Sequence, residues 1–420
     1  MSDQAIGQSS EYPTLATPSF GQLLSERRRT AGLSQTDVAR MAGLQRTTIR
    51  NLELDITQPA PETLRRLQAI SELRLRRAGD AAAHGLPTAP AWTPDAHYAP
   101  SYAPLALASE MMAALNAPGG ALDQSYLYLD AESALDWLAY ANDAAYVTNF
   151  RNKAPLDEVS KEVVARSSGV GLDVVALGAG DGRSETRLCQ HLADLMPAPP
   201  DLRLYLLDVS HGLLHTAFRH AADALTAARI SIYPVHGDFY GLPRYPVLTY
   251  RPPGDHRARL WALIGHTFGN LADEPEFFGD LAAVARSGDF ALLDCQLAWA
   301  PASDLAAVRA ADPIFSRQLP PSVERWLTGP VRRHCQGNAG VKLEVEASNR
   351  CRIPGSYELN FIATATLPDG GSRRFLACRG KRYDLPQLGE ALREVGWEPV
   401  RVLPFGPEPQ RCALLLLRRL

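Results

Sequence analysis

Four short stretches of this 420-residue chain carry side chains able to act together. LDVVALGAGDG (172–182) runs from an apolar segment into Gly178-Ala179-Gly180-Asp181-Gly182. LRLYLLDVS ends a second apolar run at Asp208, thirty residues after Gly178. ISIYPVHGDFYGL ends a third at Gly237-Asp238-Phe239, and LIGHTFGNL ends a fourth in Gly265-His266-Thr267-Phe268-Gly269-Asn270. Glycines after a strand permit a tight turn into a helix and a close approach of ligand to backbone. A carboxylate ending the second strand meets the two hydroxyls of an adenosine ribose. Asp238 is suited to an adenine amino group, and Phe239 to stacking on its ring.

The charges around the glycine loop choose between adenosine ligands. A dinucleotide site wants G-x-G-x-x-G with the pyrophosphate on the helix N-terminus. Here the third glycine comes one residue early, and Asp181 and Glu185 would repel a pyrophosphate. S-adenosylmethionine carries a sulfonium and an ammonium, for which acids are acceptable neighbours. An α/β domain with an unrelated ligand is the plainer alternative. In the fourth stretch, Gly265 and Gly269 are expected to bring backbone close to a reacting centre, and the Asn270 amide to hydrogen-bond the acceptor. Asn270 could instead cap the helix beginning in LADEPEFFGDL. His266 is a candidate acceptor of a proton from an ammonium group, against the plainer role of a hydrogen-bonded spacer.

The elements that must position these residues follow from texture. Residues 19–77 are Pro-poor, Arg-rich and helical in period, and 78–124 read as a Pro/Ala-rich linker. From there apolar runs alternate with amphipathic stretches, the α/β pattern. The expected parts are a core with a helical cap over 125–295, an insertion over 296–383 with VKLEVEAS and SYELNFIATATL as strands, and a helix and hairpin over 384–420. Net charge is −3, so the chain is no polycation, yet residues 18–80 hold eleven Arg against seven acids. The six scattered cysteines give neither a metal spacing nor a disulfide framework, and no metal site is expected. No run of about 18 apolar residues is present. The expectation is a reduced, cytoplasmic protein with no membrane partner.

In the first segment Ser34 is expected to cap a helix with Val38 and Met41 facing inward, Gly43 to close it, and a second helix to start near Gln45 with Ile49 and Leu52 buried. Gln45, Arg46, Thr47, Thr48 and Arg50 would then face a major groove. LSQTDVARMAGLQRTTIRNLE, with Pro59 to Leu64 following, resembles the Xre/repressor family of helix-turn-helix domains. The resemblance implies double-stranded DNA as a partner and a homodimer reading paired half-sites; such a domain can also serve only for dimerisation or docking.

LGAGDGRSETRL, YLLDVS, HGDF and GHTFGN, in that order and spacing, resemble the family of the ergothioneine-pathway histidine N-alpha-methyltransferase, whose motifs run L-G-S-G-x-S-x-K-T-R, D-V-S, G-D-F and G-S-x-x-G-N. The resemblance, over roughly 130–420, implies a class I fold: an α/β doubly wound, Rossmann-like methyltransferase with an inserted α+β lid subdomain. It places Gly178, Ala179, Gly180, Asp208, Val209, Asp238, Phe239 and Gly265 at the cofactor and Asn270 at the acceptor. Tyr146, in AAYVTNFRN, matches the second Tyr of a Y-Y-x-T-R stretch that closes over the site. Tyr357 and Asn360 lie at candidate acceptor positions on the lid. Asn149 stands where the family has Arg, and His266 where it has Ser. The family's Glu-x-Ser, which reads the substrate imidazole, is replaced in Ala377-Cys378-Arg379-Gly380-Lys381.

Together these point to S-adenosylmethionine-dependent methylation of a nitrogen in a small molecule or amino acid derivative, with histidine disfavoured. A nucleobase acceptor wants a D/N-P-P-aromatic loop after the fourth strand, and none is there. The alternative is a non-enzymatic regulator that senses the cofactor or a metabolite through the same fold.

Overall fold

The computed structural model describes residues 20–30, 33–53, 59, 63, 66, 67, 70, 104–167, 171–252, 254–407 and 411–420. The chain divides into two compact units, residues 1–92 and 93–420.

The first unit holds helices Phe20–Thr30, Gln35–Ala42 and Arg46–Glu53. Ser34 and Asp37 form a reciprocal capping box at the second helix, and Gly43 closes it at φ 64°. Leu24, Val38, Ala39, Ala42, Ile49, Leu52, Leu67 and Ile70 make the core. Met41, expected inward, is 43% exposed. The buried stripe runs through Val38, Ala39 and Ala42, and Met41 falls roughly 100° off its centre. Arg28 and Gln35 both donate to Glu53, tying the three helices together. Of the Pro59–Leu64 stretch only Pro59 and Thr63 lie among the described residues.

The second unit is built on a seven-stranded sheet. In chain order the chain's strands are β1 (Gly119–Ala121), β2 (Leu172–Leu177), β3 (Leu202–Asp208), β4 (Ser231–His236), β5 (Ala258–Leu263), β6 (Phe290–Gln296), β7 (Gly340–Ser348), β8 (Tyr357–Thr366), β9 (Ser372–Arg382), β10 (Trp397–Phe405) and β11 (Cys412–Arg419). The main sheet runs β10-β11-β6-β5-β2-β3-β4. Strands β2 to β6 are parallel, and β11 enters antiparallel between β6 and β10.

Helices cover both faces, so the strands are apolar throughout. Strand β2 sends Leu172, Val174 and Ala176 to a core with helices Leu156–Arg166, Arg183–Leu195 and His211–Leu225. Val175 and Leu177 go to the opposite core with helices Glu274–Val284 and Leu385–Glu394. The amino-terminal edge is knitted by buried ion pairs, Arg257 with Asp173 at 2.7 Å, Arg259 with Asp173 at 3.3 Å and Arg251 with Asp289 at 2.5 Å. That leaves the carboxyl edge for ligand.

A second, four-stranded sheet runs β1-β9-β8-β7, with β1 parallel to β9 and the rest antiparallel. Helix Pro321–His334 and helix Pro104–Asn116 pack on it. A single bridge, Leu297 to Tyr383, links its β9 to the end of β6. The segment expected as linker to residue 124 is ordered structure from Pro104. Its Pro-rich texture stops there, and Leu107, Met111 and Leu115, at i, i+4 and i+8, bury one helical stripe.

Candidate functional site

A cavity of about 650 Å³ opens where the carboxyl ends of the parallel strands meet the second sheet. It is lined by Gly178, Ala179, Gly180, Asp208, Val209, Asp238, Phe239 and Gly265, and by Tyr146, His266 and Asn270. Four strand ends far apart in sequence thus reach one space, as an open parallel sheet dictates.

The glycine loop is a cradle that only glycine allows. Gly178 and Gly180 have φ of 79° and 56°, and a Cβ on Gly180 would lie 2.4 Å from the Trp137 ring. The loop is locked to the next strand: Asp208 Oδ2 accepts from the Gly180 N–H at 2.8 Å and Oδ1 from the Ser210 N–H at 2.8 Å. Burial pushes the Asp208 carboxyl up to about 6, against those two hydrogen bonds. Phe239 lies within 3.5 Å of a Cβ built on Gly178 and packs edge-on against Phe277. Asp238 accepts from the Tyr240 N–H at 3.0 Å, holding the turn after β4. Backbone free of side chains at Gly178 and Gly180, the Phe239 ring beside it and the buried Asp208 carboxylate together suit an adenosyl group.

GHTFGN folds into a strained turn. His266 has φ 68°, rare for a residue with a Cβ. It is held there by Asp294 at the end of β6, which accepts from the Gly265 N–H at 3.0 Å and the His266 N–H at 2.8 Å. The imidazole sits edge-on to Tyr146 and Phe150, at 5.9 and 5.4 Å between ring centroids. Burial lowers its pKa below the ordinary 6.5, with Asp294 opposing, so the ring is neutral at pH 7. Its Nδ1 is buried without a hydrogen-bond partner among the described residues.

Asn270 lines the cavity, and the capping role falls instead to Asp273, which accepts from the Glu276 N–H. A Cβ on Gly269 would face the Lys381 backbone at 3.7 Å, an ordinary contact, so this glycine turns toward β9 and not toward the reacting centre. Lys381 is fully buried; its Nζ bonds Glu274 at 2.7 Å and the Leu271 carbonyl at 2.8 Å, while the Tyr383 hydroxyl also donates to Glu274. This cluster fastens the loop carrying Asn270 to the second sheet.

Tyr357 and Asn360 do not line the cavity. For Asn360 strand parity decides it: Tyr357, Phe361, Cys378 and Arg382 share one face, and of these Phe361, Cys378 and Arg382 reach the space. Asn360 pairs with Arg379 on the other face. The Tyr357 hydroxyl donates to buried Asp312 at 2.9 Å, beneath the cavity wall.

Other lining residues escaped the sequence reading. Arg151, on a π-helical turn Val147–Arg151, pairs with Asp181 at 3.0 Å, both side chains buried, and Arg187 holds the Arg151 carbonyl. Burial raises Glu185, read in the sequence only as an acid hostile to pyrophosphate, to about 8. Asp181 already has Arg183 two residues on, at 3.6 Å, so nothing in the sequence pointed to Arg151 as its buried partner. Tyr140 stacks on Trp326 at 5.5 Å, and with Trp299 and Phe361 they wall the remainder. Aromatic residues spread over some 220 positions leave no local signature.

The fold, with strand order 3-2-1-4-5-7-6 when the main sheet is counted from β2, and an adenosyl-shaped slot at its switch point define a class I methyltransferase. Comparison agrees: residues 107–310 match the family model described as "Histidine-specific methyltransferase, SAM-dependent", and residues 24–70 match a helix-turn-helix family model. The chain is a helix-turn-helix domain of Xre type joined to a class I methyltransferase domain that resembles the histidine-specific family, and its cofactor is S-adenosylmethionine. Similar solved structures include the CcbJ methyltransferase from Streptomyces caelestis (17% identity, 64% of this chain and 98% of that one, TM-score 0.32). The sugar N-methyltransferase KedS8 from Streptoalloteichus sp ATCC 53650 is 16% identical (68% and 93%, TM-score 0.33). The magnesium protoporphyrin IX methyltransferase ChlM from Synechocystis PCC 6803 is 14% identical (70% and 97%, TM-score 0.35). No curated protein matches the chain. Among the described residues no helix is long and apolar enough to cross a membrane.

Proposed function

We propose that the second unit methylates a nitrogen of a small molecule or amino acid derivative other than histidine. The observation that carries this is His266, clamped in a left-handed turn by Asp294 and boxed by Tyr146 and Phe150 at the cavity wall. An amine reacts only as the free base, and a neutral imidazole beside it can take the departing proton. S-adenosylmethionine, when bound, supplies an electrophilic methyl group on a sulfonium. Gly178, Ala179, Gly180, Val209 and Gly265 present backbone to it, Asp208 its ribose partner, and Asp238 and Phe239 its adenine partners. Asn270 and Tyr146 orient the acceptor, and aromatic walls exclude water and favour a cationic amine before it loses its proton. The second sheet acts as the lid. Of the Ala377-Cys378-Arg379-Gly380-Lys381 stretch, Cys378 and Gly380 line the cavity and offer neither carboxylate nor hydroxyl to an imidazole, which argues against histidine.

A sensor of the cofactor alone needs no acceptor chamber, so the chamber argues against that form of the alternative, and turnover separates the enzyme from a metabolite sensor. For the first unit the proposal is double-stranded DNA binding by a cytoplasmic homodimer, through Gln45, Arg46, Thr47, Thr48 and Arg50. All five are exposed except half-buried Thr48. The test incubates the protein with methyl-labelled S-adenosylmethionine and a metabolite extract, and locates the label by mass spectrometry. An N-methyl product is expected. A product methylated on oxygen or carbon, or a cofactor-dependent change in DNA affinity without turnover, would sink the proposal.

A further inference from the structure

The geometry points to an anion-binding subsite at the acceptor end of the cavity, built on Arg411, so that the acceptor is an amine that also bears a carboxylate remote from the reacting nitrogen. This rests on the amine-methylating reading above. Arg411 precedes β11, and its guanidinium lies on the Trp299 ring, 4.7 Å from the centroid. Its Nη1 donates to the Ala298 carbonyl at 3.1 Å, and its backbone carbonyl accepts from the Leu297 N–H at 2.8 Å. The head group is therefore fixed by stacking and by one tether. Its Nε is buried without a hydrogen-bond partner, and no carboxylate among the described residues pairs with it. The edge left over is the Nε and Nη2 fork, the geometry that grips a carboxylate in two parallel hydrogen bonds.

The surroundings reinforce the sign. Arg382 and Arg317 line the same cavity; of its acids Asp312 is the one paired with Arg382, while Asp208 and Asp238 belong to the ends of β3 and β4. Asp312 is already engaged: it lies 3.2 Å from Arg382 Nε and accepts from the Tyr357 hydroxyl and the Ile314 N–H. Topology places the subsite away from His266. Leu297, extending β6, bonds Arg411 on one side and bridges to Tyr383, next to Arg382, on the other. His266 follows β5, the opposite neighbour of β6 in the main sheet. Amine and acid are thus roughly two strand spacings apart at the backbone, on the order of 10 Å. A ring between them would lie along Trp299, Trp326 and Tyr140.

The full chain, saturated with S-adenosylhomocysteine, is titrated calorimetrically with two pairs of probes: 4-(aminomethyl)benzoate against benzylamine, and 4-(2-aminoethyl)benzoate against 2-phenylethylamine. The acid-bearing member of at least one pair is expected to bind about 10- to 100-fold tighter, as a charge-assisted bidentate contact would give. Arg411→Gln should erase that preference while leaving S-adenosylhomocysteine affinity and melting temperature unchanged. If Arg411→Gln does not fold, Arg411→Lys, which keeps the charge and loses the fork, should retain only part of the preference. Equal binding within both pairs, or a preference that survives Arg411→Gln, overturns the subsite. Methylation of amines without any acid preference overturns it while leaving the methyltransferase reading intact. Failure to bind S-adenosylhomocysteine at all counts against both.

Discussion

Replacing Asp208 with Asn separates the stability of the slot from its function. In the structure Asp208 receives the Gly180 and Ser210 N–H groups, both at 2.8 Å, one on each oxygen. Asn keeps one acceptor and turns an NH₂ toward the other N–H, leaving a buried donor unsatisfied at about 1–3 kcal/mol. Against this, a carboxyl titrating at about 6 rather than 3.8 carries a burial penalty of about 3 kcal/mol once ionised, which Asn removes. The two nearly cancel, so the free protein should melt within a few degrees of the wild type at pH 8. Because the folded pKa is raised, the wild-type penalty grows as pH rises from about 4 to about 6, and the variant should not show it. Binding has no such compensation. Losing a charge-assisted bond to a ribose hydroxyl costs about 1.5–3 kcal/mol, or about 10- to 150-fold in Kd. Calorimetry with S-adenosylhomocysteine at pH 8, beside thermal unfolding, reads both quantities. A variant that binds within threefold of wild type would refute the assignment of Asp208 to the ribose. One that unfolds in parallel with its loss of affinity would show a structural residue instead.

Gly182→Ala should lower stability by about 2–4 kcal/mol, measured by denaturant unfolding, because φ is 71° and the new Cβ would sit 2.8 Å from Ala217 Cα; an unchanged midpoint would mean the loop is not close-packed. Lys381→Met should cost about 3–5 kcal/mol by leaving Glu274 buried beside Tyr383 without its cation, and adding Glu274→Leu should recover much of it in the same urea assay. His266→Asn keeps a residue that tolerates the left-handed turn and should abolish turnover with little loss of stability. It should also remove a pH effect: with the folded pKa below 6.5, the unfolded chain binds the extra proton, so wild-type stability falls as pH drops through that range and the variant's curve is flatter there.

Much of this site was legible because it is made of strand ends. An apolar run that stops in Gly178-Ala179-Gly180, at Asp208, at Asp238-Phe239 or at Gly265-His266 announces where its last residue must point, since parallel strands all present their carboxyl ends to one edge. The capping box at Ser34 and the left-handed Gly43 were equally local and equally readable. Asn270 lines the cavity, while the helix start three residues later belongs to Asp273, a choice between two capping residues that only the backbone path makes.

What the amino-acid order determined by itself, then, is the class of chemistry: strand periodicity, glycine turns and the acids between them name an adenosyl slot before any coordinate is seen. Tertiary structure alone decided who shares the acceptor chamber. Phe361 rather than Asn360 reaches it because side chains alternate along a strand and a bulge after Phe361 shifts the pairing. Arg151 meets Asp181, Lys381 meets Glu274, and Arg411 comes to rest on Trp299 across separations from 30 to more than 100 residues. Those partnerships arise from packing elements distant in the chain against one another, and no periodicity encodes a contact between elements whose spacing the fold sets.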